Sequence, residues 1–175
     1  MLIIFSGLPG AGKSSLCKQL ARRISATYIR IDTIECAIRN SSSSANEAVD
    51  AGAGYIVGYA IAEDNLKTGR TVIADSVNPI KMTRDDWLEV AKKASVKAIE
   101  VEVICSDTLQ HEKRVEIRKA DIKNHKLPNW QNVLDREYEE WDRDRIVIDT
   151  ANRTIEQNID ELLSNTKFQI KLCNR

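Results

Sequence analysis

One stretch near the start of the chain, Gly7–Ser14 (GLPGAGKS), constrains the fold more than any other feature of the sequence. It follows the apolar run 2–5, which is typical of a strand buried on both faces, and it precedes apolar residues at helical spacing over 14–24. The stretch satisfies the pattern G-x-x-x-x-G-K-[S/T] in full. Its glycines permit torsions that a side chain would forbid, so that successive N–H groups point inward at a helix N-terminus. The alternative is a plain glycine turn, but the flanking strand and helix favour a phosphate-binding loop.

The rest of the chain alternates short apolar runs with helical patterns. Strands are predicted at 2–5, 27–31, 71–74, 98–105 and 145–149. Helices are predicted at 14–24, 33–39, 46–67, 79–94, 107–120, 130–141 and 154–163, with a polar loop at 40–44 and a polar link at 121–128. The alternation predicts an α/β fold, a three-layer sandwich in which a five-stranded parallel sheet has helices on both faces. Residues 168–172 alternate in polarity and fit either a short extra strand or a docked tail.

Composition narrows the class of protein further. The 175 residues suit a single domain over 1–175, and the 26 basic and 26 acidic side chains balance. A balanced charge does not favour nucleic acid as a partner, although a local basic groove stays open. No apolar run approaches the roughly 20 residues of a membrane span, and the start of the chain does not read as a signal peptide. The four cysteines form no CxxC pair, which indicates a reducing, cytoplasmic location rather than disulfides or a zinc site.

The loop resembles that of the P-loop NTPase superfamily, and the resemblance implies ATP or GTP bound with Mg²⁺. Lys13 is expected to reach the β- and γ-phosphates, and the Ser14 hydroxyl to bind magnesium. Asp75, which ends a predicted strand, suits a magnesium contact through water, although it also fits a simple turn. The predicted nucleotide-binding residues are Gly7, Leu8, Pro9, Gly10, Ala11, Gly12, Lys13, Ser14 and Ser15.

Asp32 follows the second predicted strand, so we expect it at the same edge of the sheet as the loop. A carboxylate in that place is able to accept the proton of an acceptor hydroxyl during phosphoryl transfer. The alternative is a helix N-cap, because Asp32 and Glu35 have the spacing of a capping box. Proximity to the phosphate loop favours the catalytic role.

Arg114 and Arg118 are four residues apart on a predicted helix, which puts both guanidinium groups on one face. Two arginines there are able to offset the charge of a transferring phosphoryl group, and we expect a helical lid around 114–128. The alternative is a solvated charged face in which they pair with Glu112 and Glu116.

Residues 1 to about 165 resemble the small P-loop kinases related to polynucleotide 5′-hydroxyl kinases, chloramphenicol phosphotransferase and zeta-toxin-like kinases. Guanine-reading and transporter signatures are absent from the sequence. The resemblance rests on GLPGAGKS, on Asp32 and Asp75 at strand ends, and on the Arg114–Arg118 pair. It implies Asp32 as the base and the two arginines as lid residues. An arginine of the polynucleotide kinases corresponds to Glu35 here, which argues against a polynucleotide acceptor.

The sequence therefore predicts an ATP-dependent kinase whose catalytic residues are Lys13, Asp32, Arg114 and Arg118, with magnesium at Ser14 and Asp75. The expected partners are a nucleoside triphosphate and a small molecule that carries a hydroxyl. Two alternatives stay open, a polynucleotide 5′-hydroxyl kinase and a nucleotide-gated binding protein with little transfer activity. The acceptor-side segments 33–60 and 76–90 carry no motif that identifies the acceptor.

Overall fold

A computed structural model describes residues 1–41, 52–165 and 168 of the chain. Its strands form one parallel sheet in the order β2-β3-β1-β4-β5. The strands are β1 (Leu2–Ser6), β2 (Thr27–Arg30), β3 (Val72–Asp75), β4 (Ala98–Ile104) and β5 (Ile146–Asp149). The helices are α1 (Lys13–Ile24), α2 (Ile31–Ser41), α3 (Ala53–Lys67), α4 (Lys81–Lys93), α5 (Thr108–Ile117), α6 (Trp130–Leu134) and α7 (Ile155–Ser164).

Helices cover both faces of the sheet, and the central strand β1 is buried on each. Ile3 and Phe5 belong to a core that includes residues of α1 and α7, whereas Leu2 and Ile4 belong to a core that includes residues of α3 and α4. Successive side chains of a strand point to opposite faces, so a strand between two helical layers must be apolar throughout. The predicted five-stranded α/β sandwich is confirmed. None of the described helices has the length and apolar character that crossing a membrane requires.

Residues 135–141, which the sequence predicts as helix, are not helical beyond Leu134. Their backbone bonds to distant groups instead. The Arg84 guanidinium donates to the carbonyls of Glu139 (2.7 Å) and Glu140 (3.3 Å), and Glu139 N donates to the Pro79 carbonyl (2.8 Å). Arg84 is fully buried, with its guanidinium carbon 4.4 Å from the centre of the Trp141 ring. A buried guanidinium needs acceptors, and the carbonyls of Glu139 and Glu140 supply two of them outside the helix.

Other predicted boundaries shift by a few residues or fall outside the described residues. Helix α5 ends at Ile117 rather than near residue 120, and α4 spans Lys81–Lys93 rather than 79–94. Asn40 and Ser41, predicted as loop, belong to α2, while 42–51, which include the predicted start of the third helix, lie outside the described residues. Of the predicted segment 168–172 only Phe168 is described, and it is buried in the core.

Two glycines of α3 let it pack closely against α2. A Cβ atom at Gly58 would lie 2.5 Å from Ile31 Cδ1, and one at Gly54 would lie 2.3 Å from Glu35 Cγ. The close approach explains why α3 keeps glycines that reduce helix propensity by about 1 kcal/mol each. It also presses α2, which carries Asp32, against the rest of the domain.

Asn78 is a fully buried hydrogen-bonding centre that joins β1 to the segment after β3. Its amide nitrogen donates to the Phe5 carbonyl and the Ser6 hydroxyl, both at 3.1 Å. Its side-chain oxygen accepts from Ser76 Oγ (2.9 Å) and from Trp87 Nε1 (3.1 Å). The residue has φ of 47°, a left-handed conformation that asparagine adopts more readily than most residues.

We expect Asn78→Ala to lower the free energy of unfolding by about 3 kcal/mol or more. The substitution leaves several buried donors and acceptors without partners, at about 1–3 kcal/mol for each. Urea unfolding followed by circular dichroism measures the change. Asn152→Ala is the control, because Asn152 is also left-handed (φ 55°) but has an exposed side chain. Equal effects of the two substitutions would contradict the role given to Asn78.

Candidate functional site

A cleft of about 1620 Å³ lies at the edge of the sheet where the strands end. Its lining contains all four of the predicted catalytic residues, although they come from distant parts of the sequence. Lys13 comes from the start of α1, Asp32 from α2, and Arg114 and Arg118 from the end of α5. The predicted magnesium ligands Ser14 and Asp75 line the same cleft.

The loop Gly7–Ser14 leaves β1 by a path that only glycine permits. Gly7 has φ of 131°, and a Cβ atom there would lie 2.1 Å from the carbonyl oxygen of Val103 in β4. Gly10 and Gly12 also have positive φ values of 86° and 103°. The loop therefore bends between a core strand and the first residue of α1, as an anion-binding nest requires.

The predicted loop residues divide between the two sides of the loop. Gly7 and Ala11 contact the protein behind it, where the Ala11 carbonyl accepts from Thr150 Oγ1 (2.8 Å), whereas the Leu8 carbonyl accepts from Lys13 Nζ (3.0 Å) within the loop. The cleft is lined by Pro9, Gly10, Gly12, Lys13, Ser14 and Ser15.

Lys13 is a buried cation, with 7% of its surface exposed, and its charge interacts with those of two carboxylates. Burial lowers the pKa of its ammonium group, and the charges of Asp75 and Asp32 oppose that shift. A buried ammonium group of this kind interacts strongly with a nearby anion, because little water screens it.

Asp32 lies in the first turn of α2, and it is not the N-cap, because the helix begins one residue earlier at Ile31. Its side chain is 41% exposed, and Oδ2 lies 3.5 Å from Arg30 Nη2 and 4.0 Å from His125 Nε2. The carboxylate is thus reachable from the cleft and has cationic or potentially cationic neighbours.

Asp75 is 3% exposed, and the Tyr28 hydroxyl donates to its Oδ2 at 2.6 Å. Burial and then the charge of Asp75 raise the pKa of Tyr28 well above its usual value, so Tyr28 stays a donor. Among the described residues no group of three His, Cys, Asp or Glu side chains is placed to hold a metal ion. The hydroxyl of Ser14 and the carboxylate of Asp75 nevertheless fit Mg²⁺, which prefers oxygen ligands and takes only one or two carboxylates when phosphates supply the others.

The two arginines Arg114 and Arg118 have different surroundings. Arg114 donates to Thr150 Oγ1 (2.7 Å) and to the Thr150 carbonyl (2.9 Å), so it supports the loop through the bond from Thr150 to Ala11. Arg118 follows the last residue of α5 in extended conformation, and it donates to the Pro128 carbonyl at 3.3 Å. Both arginines line the cleft, Arg114 from within α5 and Arg118 from its C-cap. Glu116 accepts from Trp130 N (2.7 Å), and its charge also interacts with that of Arg118.

Arg30, the last residue of β2, is a component of the site that the residues predicted from the sequence do not include. Its Nη1 donates to both carboxylate oxygens of Asp121 at 2.9 Å, Nη2 lies near Asp32, and Nε lies 4.0 Å from Asp75. Hydrogen bonds from Lys18 (2.5 Å) and then from Arg30 lower the pKa of Asp121 to about 2. The sequence signal for Arg30 is its position at the end of a strand. Arg30 ends β2 as Asp75 ends the neighbouring strand β3, and the two residues are in register.

His111 of α5 is a second residue that the sequence did not identify. Its Nε2 lies 2.9 Å from the carbonyl oxygen of Pro9, and the edge of its ring meets Trp130 with ring centres 5.1 Å apart. Only 7% of its surface is exposed. Burial lowers the pKa of His111, the hydrogen bond to Pro9 opposes the shift, and the charges of Lys13, Arg114 and Arg118 add to it.

Comparisons with known proteins agree with the architecture. Residues 2–136 match a family described as an AAA domain, whereas no curated protein matches the chain. Kti12 of Chaetomium thermophilum in complex with ADP-AlF3 is 23% identical, with 92% of this chain and 96% of that chain covered and a TM-score of 0.66. For the APS kinase CysC of Mycobacterium tuberculosis in complex with AMPPNP and APS, the identity is 15%, the coverage 93% and 94%, and the TM-score 0.66. A gluconokinase from Sinorhizobium meliloti 1021 is 18% identical, with coverage of 91% and 87% and a TM-score of 0.59.

The parallel sheet, the loop GLPGAGKS and these structural likenesses define a P-loop protein with the fold of small kinases. More particularly, the chain belongs to the AAA domain family whose model matches residues 2–136. The predicted resemblance to the small P-loop kinases is confirmed at this level.

We expect His111 to make the folded protein less stable in mild acid. Its pKa is depressed in the folded state, so the unfolded chain binds more protons below the ordinary value of 6.5, and stability falls as the pH drops through the folded pKa. His111→Gln removes the titrating group. Urea unfolding from pH 7.5 to 5 measures the difference in unfolding free energy between wild type and variant. We expect this difference to shift in favour of the variant as the pH falls. A difference that stays constant over this range would contradict a depressed pKa.

Proposed function

We propose that this protein transfers the γ-phosphoryl group of ATP to a hydroxyl group of a small molecule. The observation that carries the proposal is the arrangement of charges across one cleft. Lys13 stands at the phosphate loop, the accessible carboxylate of Asp32 is its electrostatic neighbour, and Arg118 interacts with Asp32 in turn. A phosphate donor site, a proton acceptor and a cation are the components that phosphoryl transfer requires.

In this proposal the donor half of the cleft holds the triphosphate. The amides of the loop and the ammonium group of Lys13 bind the β- and γ-phosphates. Ser14 and Asp75 hold the magnesium ion, which neutralises charge on those phosphates when bound. Arg114 keeps the loop in shape through Thr150 and Ala11, because these three residues are joined by hydrogen bonds.

In the acceptor half, Asp32 takes the proton of the acceptor hydroxyl. The acceptor oxygen forms a bond to the γ-phosphorus, the bond from that phosphorus to ADP breaks, and the proton moves to a carboxylate oxygen of Asp32. Arg118 and Arg30 adjoin Asp32 and offset the negative charge of the group in transfer.

A small acceptor fits the side of the cleft beyond Asp32. This side is lined by both charges and aromatic rings, including Glu35, Arg39, Tyr55, Tyr59 and Asp86. Burial and then the charge of Asp32 raise the pKa of Glu35. Glu35 stands where the resemblance places an arginine of the polynucleotide kinases, so a polynucleotide acceptor is the less favoured choice. The APS kinase that shares the fold was solved with APS, a small molecule.

A second candidate is a nucleotide-gated protein with little transfer activity. It is favoured by the likeness to Kti12, which was solved with ADP-AlF3 and no named acceptor. In that case the cleft binds ATP and hydrolyses it slowly, and candidate hydroxyl compounds do not change the rate of hydrolysis.

The test is a screen with γ-labelled ATP against sugars, nucleosides, hydroxyl-bearing antibiotics and 5′-hydroxyl oligonucleotides. We expect label in one class of small molecule. Label in the oligonucleotides, with binding that weakens steeply as salt is raised, would identify a polynucleotide kinase. Slow hydrolysis that no acceptor changes would overturn the transfer reaction and favour the nucleotide-gated protein.

We expect Asp32→Asn to lower phosphoryl transfer about 10²–10⁴-fold, the usual contribution of a general base, and to leave ATP affinity nearly unchanged. Initial rates with the labelled acceptor and titration calorimetry with ATP measure the two effects. Asp64→Asn, an exposed carboxylate of α3, is the matched control. Turnover that is the same in Asp32→Asn and wild type would exclude Asp32 as the base.

Lys13→Ala should lose both ATP binding and transfer, because the buried ammonium group interacts directly with the phosphates. Calorimetry with ATP and the same transfer assay measure the two losses. Lys92→Ala removes a lysine of α4 whose side chain is 79% exposed, and it should behave as wild type. ATP affinity retained in Lys13→Ala would show that the phosphates bind elsewhere.

A further inference from the structure

Three carbonyl groups of the phosphate loop are held by side chains, one of them from within the loop and two from outside it. Lys13 Nζ donates to the Leu8 carbonyl (3.0 Å), and Thr150 Oγ1 donates to the Ala11 carbonyl (2.8 Å). The Pro9 carbonyl lies 2.9 Å from Nε2 of His111. Because a carbonyl oxygen only accepts, this ring nitrogen carries a proton and donates it.

A hydrogen bond to a carbonyl also sets the direction of the next N–H group. The peptide unit is planar and trans, so the carbonyl oxygen and the following N–H point in opposite directions. The carbonyl of Leu8 is followed by Pro9, which has no N–H. Of the three bonded peptide units, therefore, only those that end in Gly10 and Gly12 present a donor.

The Pro9–Gly10 unit is the one that His111 controls. A Cβ atom at Gly10 would lie 2.4 Å from Val115 Cγ2 and 3.2 Å from His111 Cδ2, so the side chains of α5 pack directly against the α-carbon of Gly10. Pro9 and Gly10 both line the cleft. With the Pro9 oxygen held by α5, the Gly10 N–H is directed away from α5 and toward the phosphate site.

The ring of His111 is itself held in place. Trp130 of α6 meets it edge to face, at 70° between the ring planes, and Trp130 N donates to Glu116 of α5 at 2.7 Å. The lowered pKa of His111 keeps the imidazole neutral near pH 7, with its one N–H available for Pro9. The cations Lys13, Arg114 and Arg118 lie near enough to His111 to contribute to that shift.

We propose that His111 is a positioning residue for nucleotide binding, which acts by holding the Pro9 carbonyl so that the Gly10 amide points at a bound phosphate. The proposal rests on the proposed function only so far as that function places ATP phosphates in this loop. It assigns to α5 and α6 a role in shaping the phosphate site from behind, separate from the charges that Arg114 and Arg118 supply.

The test compares three substitutions of His111. His111→Gln keeps an N–H donor at similar reach, whereas His111→Leu and the ring-retaining His111→Phe have none. Calorimetry measures binding of ATP and of inorganic tripolyphosphate, which lacks the nucleoside. We expect Leu and Phe to weaken both ligands by a similar factor of about ten, and Gln to remain within about twofold of wild type. If the Leu variant fails to fold, the Phe variant carries the comparison.

Nuclear magnetic resonance reads the Gly10 amide directly. Pro9–Gly10 is the only proline–glycine pair in the sequence, and there are only seven glycines. Labelling glycine with ¹⁵N and proline carbonyl with ¹³C therefore identifies one amide signal. We expect tripolyphosphate to move this proton signal downfield in wild type and His111→Gln, and to move it much less in the Leu and Phe variants.

Two results with the variants would overturn the proposal. In the first, the Leu and Phe variants bind tripolyphosphate as tightly as wild type, and the Gly10 amide proton signal moves as far as in wild type. The other is a Gln variant as weak as those two, which would assign the effect to packing rather than to the donor. Wild-type protein that binds ATP but phosphorylates nothing would overturn the transfer reaction alone. Wild-type protein that binds neither ATP nor tripolyphosphate would overturn both.

Discussion

The burial of β1 on both faces is the constraint on which the rest of the structure depends. A strand between two helical layers must be apolar along its length, and Leu2–Ser6 occupies the centre of the sheet. The chain leaves this strand at Gly7, against the Val103 carbonyl, where no side chain would fit. The backbone that completes the core therefore also places the amides of the loop. The strands and helices that hold the fold together therefore also form the phosphate loop. Only the hydrogen bonds that orient the loop are added to them.

Charges alternate along the cleft, and each buried one has an opposite neighbour. The charge of Lys13 interacts with those of Asp75 and Asp32, and Arg30 joins both carboxylates to Asp121, which also binds Lys18. Buried charges are tolerable only with such partners. The arrangement also bears on the ligand. A free triphosphate would bring its charge close to the Asp75 and Asp32 carboxylates, whereas its magnesium complex carries a cation that Asp75 attracts. Under the proposed function, the site therefore suits the metal complex of a nucleotide better than the bare anion.

The sequence was sufficient wherever local pattern decides the structure. It predicted the five strands and the phosphate loop, because apolar burial and glycine torsions depend on neighbouring residues. It failed where distant groups compete for the backbone. The chain is not helical after Leu134, where Glu139 and Glu140 bond through their carbonyls to buried Arg84, more than fifty positions earlier. It failed again for side chains whose partners are remote, as with Arg30 and Asp121 or His111 and Pro9. The spacing of these residues in the sequence does not show that they are partners. The members of each pair come into contact only when the sheet and its helices have assembled.

The same reasoning separates the two arginines that the sequence grouped together. Arg114 is bonded to Thr150, and Thr150 to the Ala11 carbonyl, so its guanidinium is committed to the scaffold of the loop. Arg118 lies beyond the end of α5, and its charge interacts with Asp32. A scaffold contact stabilises the nucleotide-bound state equally before and during reaction, whereas a cation beside the acceptor gains interaction as charge develops. Under the proposed function Arg114 therefore contributes to binding and Arg118 to the transfer step, although both belong to one short segment of the chain.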